Sequence, residues 1–593
     1  MSKTKKQSLL SGAAILSAAV ILVKIISVFF KLYVANRIGY DGTGLYATAY
    51  NIYTPIYSIA LAGLPVAVSK MVATLAAQGR FRDVKKLFRV SNLIFTLAGL
   101  VGTAVILLAA YPYAKIVHAT DALPSIIAIA PSLFFCCVMS GYRGYYQGLR
   151  NMNPTSVSQV FEAAGKLVFG YVFINLVAGS TLEFADRIPF LGNMIDDRAS
   201  AYASAAAILG VTVGSLMGLL YLMLRAKLSR GNGITREMLE NSPAAESSRR
   251  LGKRLIVLSI PIAVSALIFN LTTFIDNITV QNRLAHVLET DFDKLAAMYP
   301  GIVEARGFTP DSVSAFKNYL FGSYDMVLEI KNMVPTFTIT LGLAGIPILS
   351  EAWTQKHMET VRASVESVIR LSMLIALPAG IGMIALSDDL LFLLFGGSAA
   401  NAPAIPYIAP IMAYYGVSVI FLALDQPLVS VLQAIDREDV PIKAMGIGAA
   451  VKIVANFVFV SMPSVNIQGA VIGSALCNII MVTYALIVLK KETGLRYHWG
   501  SLFIRPLLAA LASGAGAYLT NAIFERFLPS SGLTSIHWRL TSDNIACIVG
   551  VLAAVLFYAV ALFAFGAITK EDVIMLPKGR KIAKRLEKWG LIG

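Results

Sequence analysis

LAGLPVAVSK (Leu61–Lys70), continued by FRVSNLIFTLAG (Phe88–Gly99), is written twice in this chain. The second copy reads LAGIPILSEA (Leu343–Ala352) and continues as VIRLSMLIALPAG (Val368–Gly380). Gly63 and Pro65 align with Gly345 and Pro347, and Arg89 and Ser91 with Arg370 and Ser372, at almost one shift. Further on, IAP at Ile129–Pro131 returns at Ile408–Pro410. GKLVFGYVFI (Gly165–Ile174) returns as VKIVANFVFV (Val451–Val460), with Lys166 over Lys452. Landmarks that recur in one order at nearly one spacing mark a duplicated unit. An internal repeat of this kind points to a transporter.

The solvent for this chain is a bilayer. Hydrophobic residues make up 57% of its 593 positions, and its mean hydropathy is +0.70. A soluble protein of that length is less apolar. Fourteen stretches are long enough to cross about 30 Å of hydrocarbon: 9–34, 44–68, 90–111, 124–147, 154–178, 200–224, 255–282, 325–350, 367–387, 404–432, 441–461, 466–489, 502–522 and 544–567. Continuous apolar runs of this length predict helices, because a barrel shows shorter alternating segments. The fold class is therefore all-α and polytopic. Two six-helix repeats are followed by two C-terminal helices.

Most of the 50 Lys and Arg fall on the side of the N-terminus, which predicts an N-in, C-in topology. The net charge of +16 is thus a topology signal, and no nucleic-acid partner is expected. The predicted organisation is an N-terminal lobe over 1–225, a cytoplasmic linker over 226–254 and a C-terminal lobe over 255–490. Helices 13 and 14 follow within 491–567, and a basic tail over 568–593. Gly231, Gly233 and Pro243 make the linker read as flexible. The tail segment KGRKIAKRLEKWG (Lys578–Gly590) reads equally as a headgroup-bound amphipathic stretch or a solvated end. The N-terminus mimics a signal peptide, but its apolar run continues through Lys24 to Val34, too long for cleavage.

Several chemistries find no footing. Cys136, Cys137, Cys477 and Cys547 all lie in predicted spans and suit neither a disulfide framework nor a metal, and the five histidines are scattered. Gly165-Lys166 and Gly252-Lys253 lack the Ser or Thr of a phosphate loop, so no nucleotide cofactor is expected. Transport must run on the membrane potential, an ion gradient or exchange.

Charge inside the bilayer is the functional signal, at about 3 kcal/mol or more per residue. Five lysines fall in spans: Lys24, Lys31, Lys166, Lys331 and Lys452. Lys24 and Lys31 share one face of the first span. Glu162, one turn from Lys166, is its expected partner, whereas Lys452 has Gly448 at that place and Asn456 one turn on. Tyr46, Tyr50, Tyr53 and Tyr57 form a stripe that either stacks on sugar rings or packs. Asn270, Thr273, Asn277 and Gln281, with Asp276 beside them, form a polar face expected to line an aqueous cavity. Asp325 and Glu329 share a face near Lys331. Pro55, Pro65, Pro335, Pro347, Pro378 and Pro427 are positions where spans either bend or simply kink.

RGYYQGLRNMNPTSVSQVFEAAGK (Arg143–Lys166), together with GLPVAVSKMVA (Gly63–Ala73), resembles the stage V sporulation protein B branch of polysaccharide exporters. That branch lies close to the lipid II flippases, within the multidrug/oligosaccharidyl-lipid/polysaccharide exporter superfamily. The resemblance covers nearly the whole chain. It implies two six-helix lobes that open alternately inward and outward, and a lipid-linked sugar whose diphosphate is held by cavity cations. It also implies a groove for the polyprenyl tail on helices 13 and 14. By position, Lys24 falls on the first of the family's first-span arginines. The next falls at Phe30, one place from Lys31, and Lys331 is the nearest counterpart of the eighth-helix cation.

The expected function is a bacterial plasma-membrane flippase, acting as a monomer among membrane lipids. Its cargo is lipid II or a related undecaprenyl-diphosphate-linked saccharide of the cell envelope. It is not an enzyme. Two rivals are a cation-coupled drug exporter using Asp276, Asp325 and Glu329, and a membrane enzyme recruiting His286, Glu289, Asp291 and Asp293 in an outer loop.

Overall fold

The computed structural model describes residues 9–58, 64–179, 198–229, 234–396, 401–527, 542–568, 585, 587 and 588. Side chains within these ranges are described except at 9–15, 17, 64, 178, 179, 261–269, 271, 272, 340–348, 525, 527, 542 and 543. Leu61–Gly63, Gly231, Gly233 and all but four residues of the basic tail lie outside the described residues, as do the side chains of Gly345 and Pro347.

Where they are described, the expected spans fall on helix, and no strand occurs among the described residues. The chain is a multi-pass helical membrane protein. Eleven described helices are long and apolar enough to cross a bilayer. The first, α1 (Leu9–Ser58), carries two expected spans in one run. It turns at Gly39, whose φ of 70° is a left-handed conformation that only glycine adopts without strain. There follow α2 (Leu64–Ala77), α3 (Phe81–Ile116), α4 (Leu123–Gly148), α5 (Asn153–Gly179), α6 (Arg198–Leu228) and the short α7 (Arg236–Glu240). Next come α8 (Ser248–Thr290), two short helices α9 (Phe292–Ala296) and α10 (Pro300–Arg306), and α11 (Val313–Thr354). The remainder is α12 (Met358–Ala385), α13 (Ser387–Phe395), α14 (Ile405–Ala434), α15 (Asp439–Phe459), α16 (Gly469–Thr493), α17 (Arg505–Phe527) and α18 (Ser542–Ala564).

The contacts define two compact units, 1–285 with 312–322, and 286–311 with 323–593. These limits differ from the expected lobes, 1–225 and 255–490. The reason lies in α8, where Leu251 and Leu255 pack with Val84, Leu87 and Leu222 of the first unit. In that unit α5 and α6 approach backbone to backbone. A Cβ on Gly214 would stand 2.5 Å from the Glu162 carbonyl oxygen, and one on Gly210 2.4 Å from Gly170 Cα. Small residues at such crossings supply the van der Waals contact that drives helix association in lipid. In the second unit, Gly380 of α12 and Gly416 of α14 meet in the same way. The opposite faces are apolar and open to lipid, as on α3 at Leu93, Leu97 and Leu108.

The linker departs from expectation. Its described part, from Ile234 on, is strapped to the start of α3. Asp83 is fully buried and accepts from the Glu246 backbone N–H at 2.7 Å and from Arg80 Nε at 2.7 Å. Arg80 also pairs with the Glu246 carboxylate at 2.8 Å. Arg82 Nε donates to the Leu239 carbonyl at 2.8 Å, and Lys86 Nζ to that of Glu246 at 2.6 Å. Thr235 caps α7 by accepting from the Met238 N–H. Glycine and proline content read as slack, whereas side chains of α3 satisfy the linker's backbone.

Candidate functional site

In the first unit the intramembrane charge is built on α4 and α5. Arg143 of α4 is 5% exposed. Its Nη2 donates to Glu162 Oε2 at 2.8 Å and its Nε to Ser158 Oγ at 3.0 Å. Ser158 and Glu162 are one turn apart on α5, so one helix face presents both acceptors to the guanidinium. Arg143, on another helix, is thus a partner of Glu162 that the expected local pairing with Lys166 did not include. Lys166 places Nζ 4.8 Å from the Phe30 ring centre and 5.9 Å from that of Tyr50.

The tyrosine stripe on α1 is a ladder. Tyr46 and Tyr50 ring centres lie 4.9 Å apart, and Tyr53 and Tyr57 stack at 5.0 Å. Tyr46 and Tyr53 are buried in the core, which leaves their faces to packing and not to a sugar. Lys31 Nζ stands 5.9 Å over Tyr46. Lys31 and Lys166 thus rest on adjacent rings of one ladder. Lys24 is exposed on α1 and makes no hydrogen bond or ion pair among the described residues.

The polar face of α8 packs instead of lining water at its buried members. Asn277 Nδ2 donates to Asn51 Oδ1 at 2.7 Å, and Thr48 Oγ1 to Gln281 Oε1 at 3.2 Å. Asp276 is buried beside them, while Asn270 is half-buried. Gln281 also accepts from Lys317 at 3.4 Å. Lys317 was not legible as a site residue, since it precedes the span 325–350 in what reads as a polar loop. It is fully buried, and its Nζ donates to the Val117 and His118 carbonyls at 2.7 and 3.0 Å, closing the end of α3. Burial pushes this ammonium down to about 7, against the pull of Asp121.

The second unit is organised differently. Lys331 of α11 is 8% exposed, with Nζ 4.6 Å over the Tyr415 ring. The Tyr415 hydroxyl donates to that of Tyr324 at 2.9 Å, which fixes the ring under the cation. Asp325 is half-buried and Glu329 exposed. Lys452 is half-buried on α15, and Asn456, one turn on, is fully buried. A Cβ on Gly473 of α16 would stand 2.4 Å from Asn456 Oδ1, so α15 and α16 meet beside that amide. Asp425, missed in the sequence, is 4% exposed in α14 and takes only the Gln426 amide, at 3.5 Å, among the described residues. The only signal for it is a lone acid within an apolar span.

No group of three or more His, Cys, Asp or Glu suited to a metal occurs among the described residues. The four cysteines are buried thiols. Of the residues an outer-loop enzyme would need, Asp291 is paired with Lys294.

Helices of bilayer length, lipid-facing apolar surfaces and basic side chains buried between spans define a polytopic membrane protein of the transporter class. Residues 9–353, more than half of the chain, match the family described as polysaccharide biosynthesis protein, and the chain belongs to that family. Residues 333–538 match the family described as lipid II flippase MurJ. Stage V sporulation protein B of Bacillus subtilis (strain 168) is 27% identical over 96% of this chain and 98% of its own length. Among solved structures, a lipid II flippase MurJ in an inward closed conformation aligns with a TM-score of 0.58 at 13% identity, covering 92% of this chain and 98% of that one. An inward-facing multidrug resistance MATE family transporter of the MOP superfamily aligns with a TM-score of 0.61 at 14% identity, covering 80% and 94%. Both share the fold.

Proposed function

We propose that this protein is a flippase that carries an undecaprenyl-diphosphate-linked saccharide, lipid II or a related envelope precursor, from the inner to the outer leaflet. The carrying observation is the way its membrane lysines are held. Lys31, Lys166 and Lys331 each rest over an aromatic ring. A ring attracts an ammonium without cancelling its charge. Glu162, the carboxylate nearest Lys166 in sequence, is engaged by Arg143. Such ammonium groups suit the oxygens of a diphosphate and offset its desolvation in passage. Lys24 in the first unit and Lys452 in the second are further cations offered to the cargo, with Asn456, Tyr50 and the polar groups of α8 and α11 in support. The description of the family matched by residues 333–538, lipid II flippase MurJ, agrees with this cargo.

In this reading the N-terminus, the linker and the C-terminus face the cytoplasm, and fourteen spans cross the membrane. Two lobes alternate access, and the monomer suffices. A negative interior drives the anionic cargo outward by about 2.3 kcal/mol per charge per 100 mV, and no cofactor is needed. Helices α17 and α18 receive the polyprenyl tail. Buried Asp425, like buried Asp276, favours a cation-coupled drug exporter.

One experiment separates the two readings. The protein is purified in mild detergent, its bound lipids are identified by mass spectrometry, and it is reconstituted with a fluorescent lipid II analogue in vesicles. A co-purified polyprenyl diphosphate sugar and flipping in vesicles are expected. Absence of both, with gradient-driven uptake of a cationic dye, overturns the proposal in favour of the exporter.

A further inference from the structure

The first turns of α8 carry four basic residues in six positions, Arg249, Arg250, Lys253 and Arg254, all exposed. None of the four makes an ion pair among the described residues. The nearest upstream acid, Glu246, is held by Arg80. One turn further along, Ile256, Val257 and Ile260 are 47%, 61% and 52% exposed. The change from basic to apolar takes place over about 12 Å of helix, at 1.5 Å per residue. That is the depth over which a phospholipid passes from phosphate to acyl chain.

The surface is also concave. Arg249, Gly252, Lys253, Ile256 and Val257 line a groove of about 400 Å³. Gly252 is its floor. A Cβ there would stand 3.4 Å from Val90 Cγ1 and 3.5 Å from Ile94 Cδ1, at ordinary contact distance, so this face of α8 meets side chains of α3. Arg249 and Lys253 are one turn apart and share a face at the groove's polar end. Leu251 and Leu255 anchor the other face of the helix in the core, and the Asp83 strap fixes the chain just before it. The groove is therefore built from positioned elements.

We infer that the groove between α3 and the first turns of α8 is a binding site for an anionic phospholipid. Its phosphate engages Arg249 and Lys253, and a chain lies along Ile256 and Val257. Charge complementarity selects the occupant: a zwitterionic lipid leaves the basic cluster uncompensated, and a soluble phosphate leaves the apolar half empty. The site is independent of the transported cargo and holds for whichever leaflet the linker faces.

The test uses the full chain in nanodiscs of phosphatidylcholine with or without phosphatidylglycerol, followed by extraction and native mass spectrometry. Three proteins are compared: wild type, the R249Q/R250Q/K253Q/R254Q variant, and Gly252→Leu, which fills the groove but keeps the charge. Wild type is expected to retain phosphatidylglycerol and to melt higher in its presence. Both variants are expected to lose retention and shift while melting like wild type in phosphatidylcholine. Retention by Gly252→Leu at the wild-type level overturns the groove and leaves only a basic surface. Equal stabilisation of wild type by inorganic phosphate alone overturns the lipid as ligand.

Discussion

α5 and α15 carry the two copies of one sequence stretch, and both hold the lysine, at 166 and 452. They differ one turn before it. In α5 that place is Glu162, which reaches across to Arg143. In α15 it is Gly448, whose missing side chain lets α16 come so close that a Cβ would stand 2.9 Å from Cys477 Sγ. The second unit cannot adopt the acid of the first without separating two helices. One copy spends its carboxylate on joining two helices, and the other joins its helices by close packing. Both keep the lysine, so the lysine answers to something other than helix packing.

The largest effect should come from Glu162→Ala. It strands Arg143 at 5% exposure with Ser158 as its remaining partner. Breaking one side of a buried pair costs about 3–5 kcal/mol, seen as lost folded protein and a lower melting temperature in detergent. Replacing Arg143 by Met in the same chain should recover most of that loss. A wild-type melt for Glu162→Ala would show that the pair does not hold α4 to α5.

Lys166→Ala should behave oppositely, since the Arg143–Glu162 pair survives it. Its melt should stay within about 1 kcal/mol of wild type. Its flipping rate should fall by about tenfold or more, the worth of one charge-assisted hydrogen bond. Lys452→Ala and Lys331→Ala should do the same in the second unit. Normal flipping by all three would remove the cations from the mechanism.

How much of this was readable follows from where each partner sits in the chain. Repeats, spans and the two aromatic-held lysines of the first unit lie within runs whose periodicity is local, and hydropathy exposes them. Arg143 lies 19 residues from Glu162, on another helix. A rule that looks one turn away chooses Lys166 and cannot see it. Lys317 was hidden because its acceptors are carbonyls some 200 positions earlier, and backbone carbonyls leave no mark in a sequence. The linker was misread for the same reason. Its own residues are polar and slack, and the groups that tie it belong to α3.

A smaller effect concerns Lys317, a buried amine held by fixed carbonyls and not by a ring. Its folded-state value is about 7 against an ordinary 10.5. Between these, the unfolded chain holds a proton that the folded chain has shed, so stability rises with pH from about 7 upward and falls back toward 7. Wild type should therefore gain in melting temperature between pH 7 and pH 9 relative to Lys317→Met. Parallel pH profiles for the two would refute the assignment.

The smallest effect is expected at Lys24, exposed on α1. Lys24→Arg should flip substrate within about twofold of wild type, because a guanidinium grips phosphate at least as well. A large loss there would mean that the ammonium's size matters, and not its charge.

The rings beneath Lys31, Lys166 and Lys331 also bear on turnover. A carrier must reset after each delivery with its cations unladen. Were every such cation to re-form a buried ion pair on the way back, each cycle would begin by breaking bonds of about 3–5 kcal/mol. An aromatic face holds an ammonium with about 0.5–2 kcal/mol. It keeps the side chain in place during the return stroke and yields at once to an arriving oxyanion. In the proposed flippase, Tyr46, Phe30 and Tyr415 would be resting places for these lysines between deliveries, and their replacement by leucine should slow the empty return more than it weakens cargo binding.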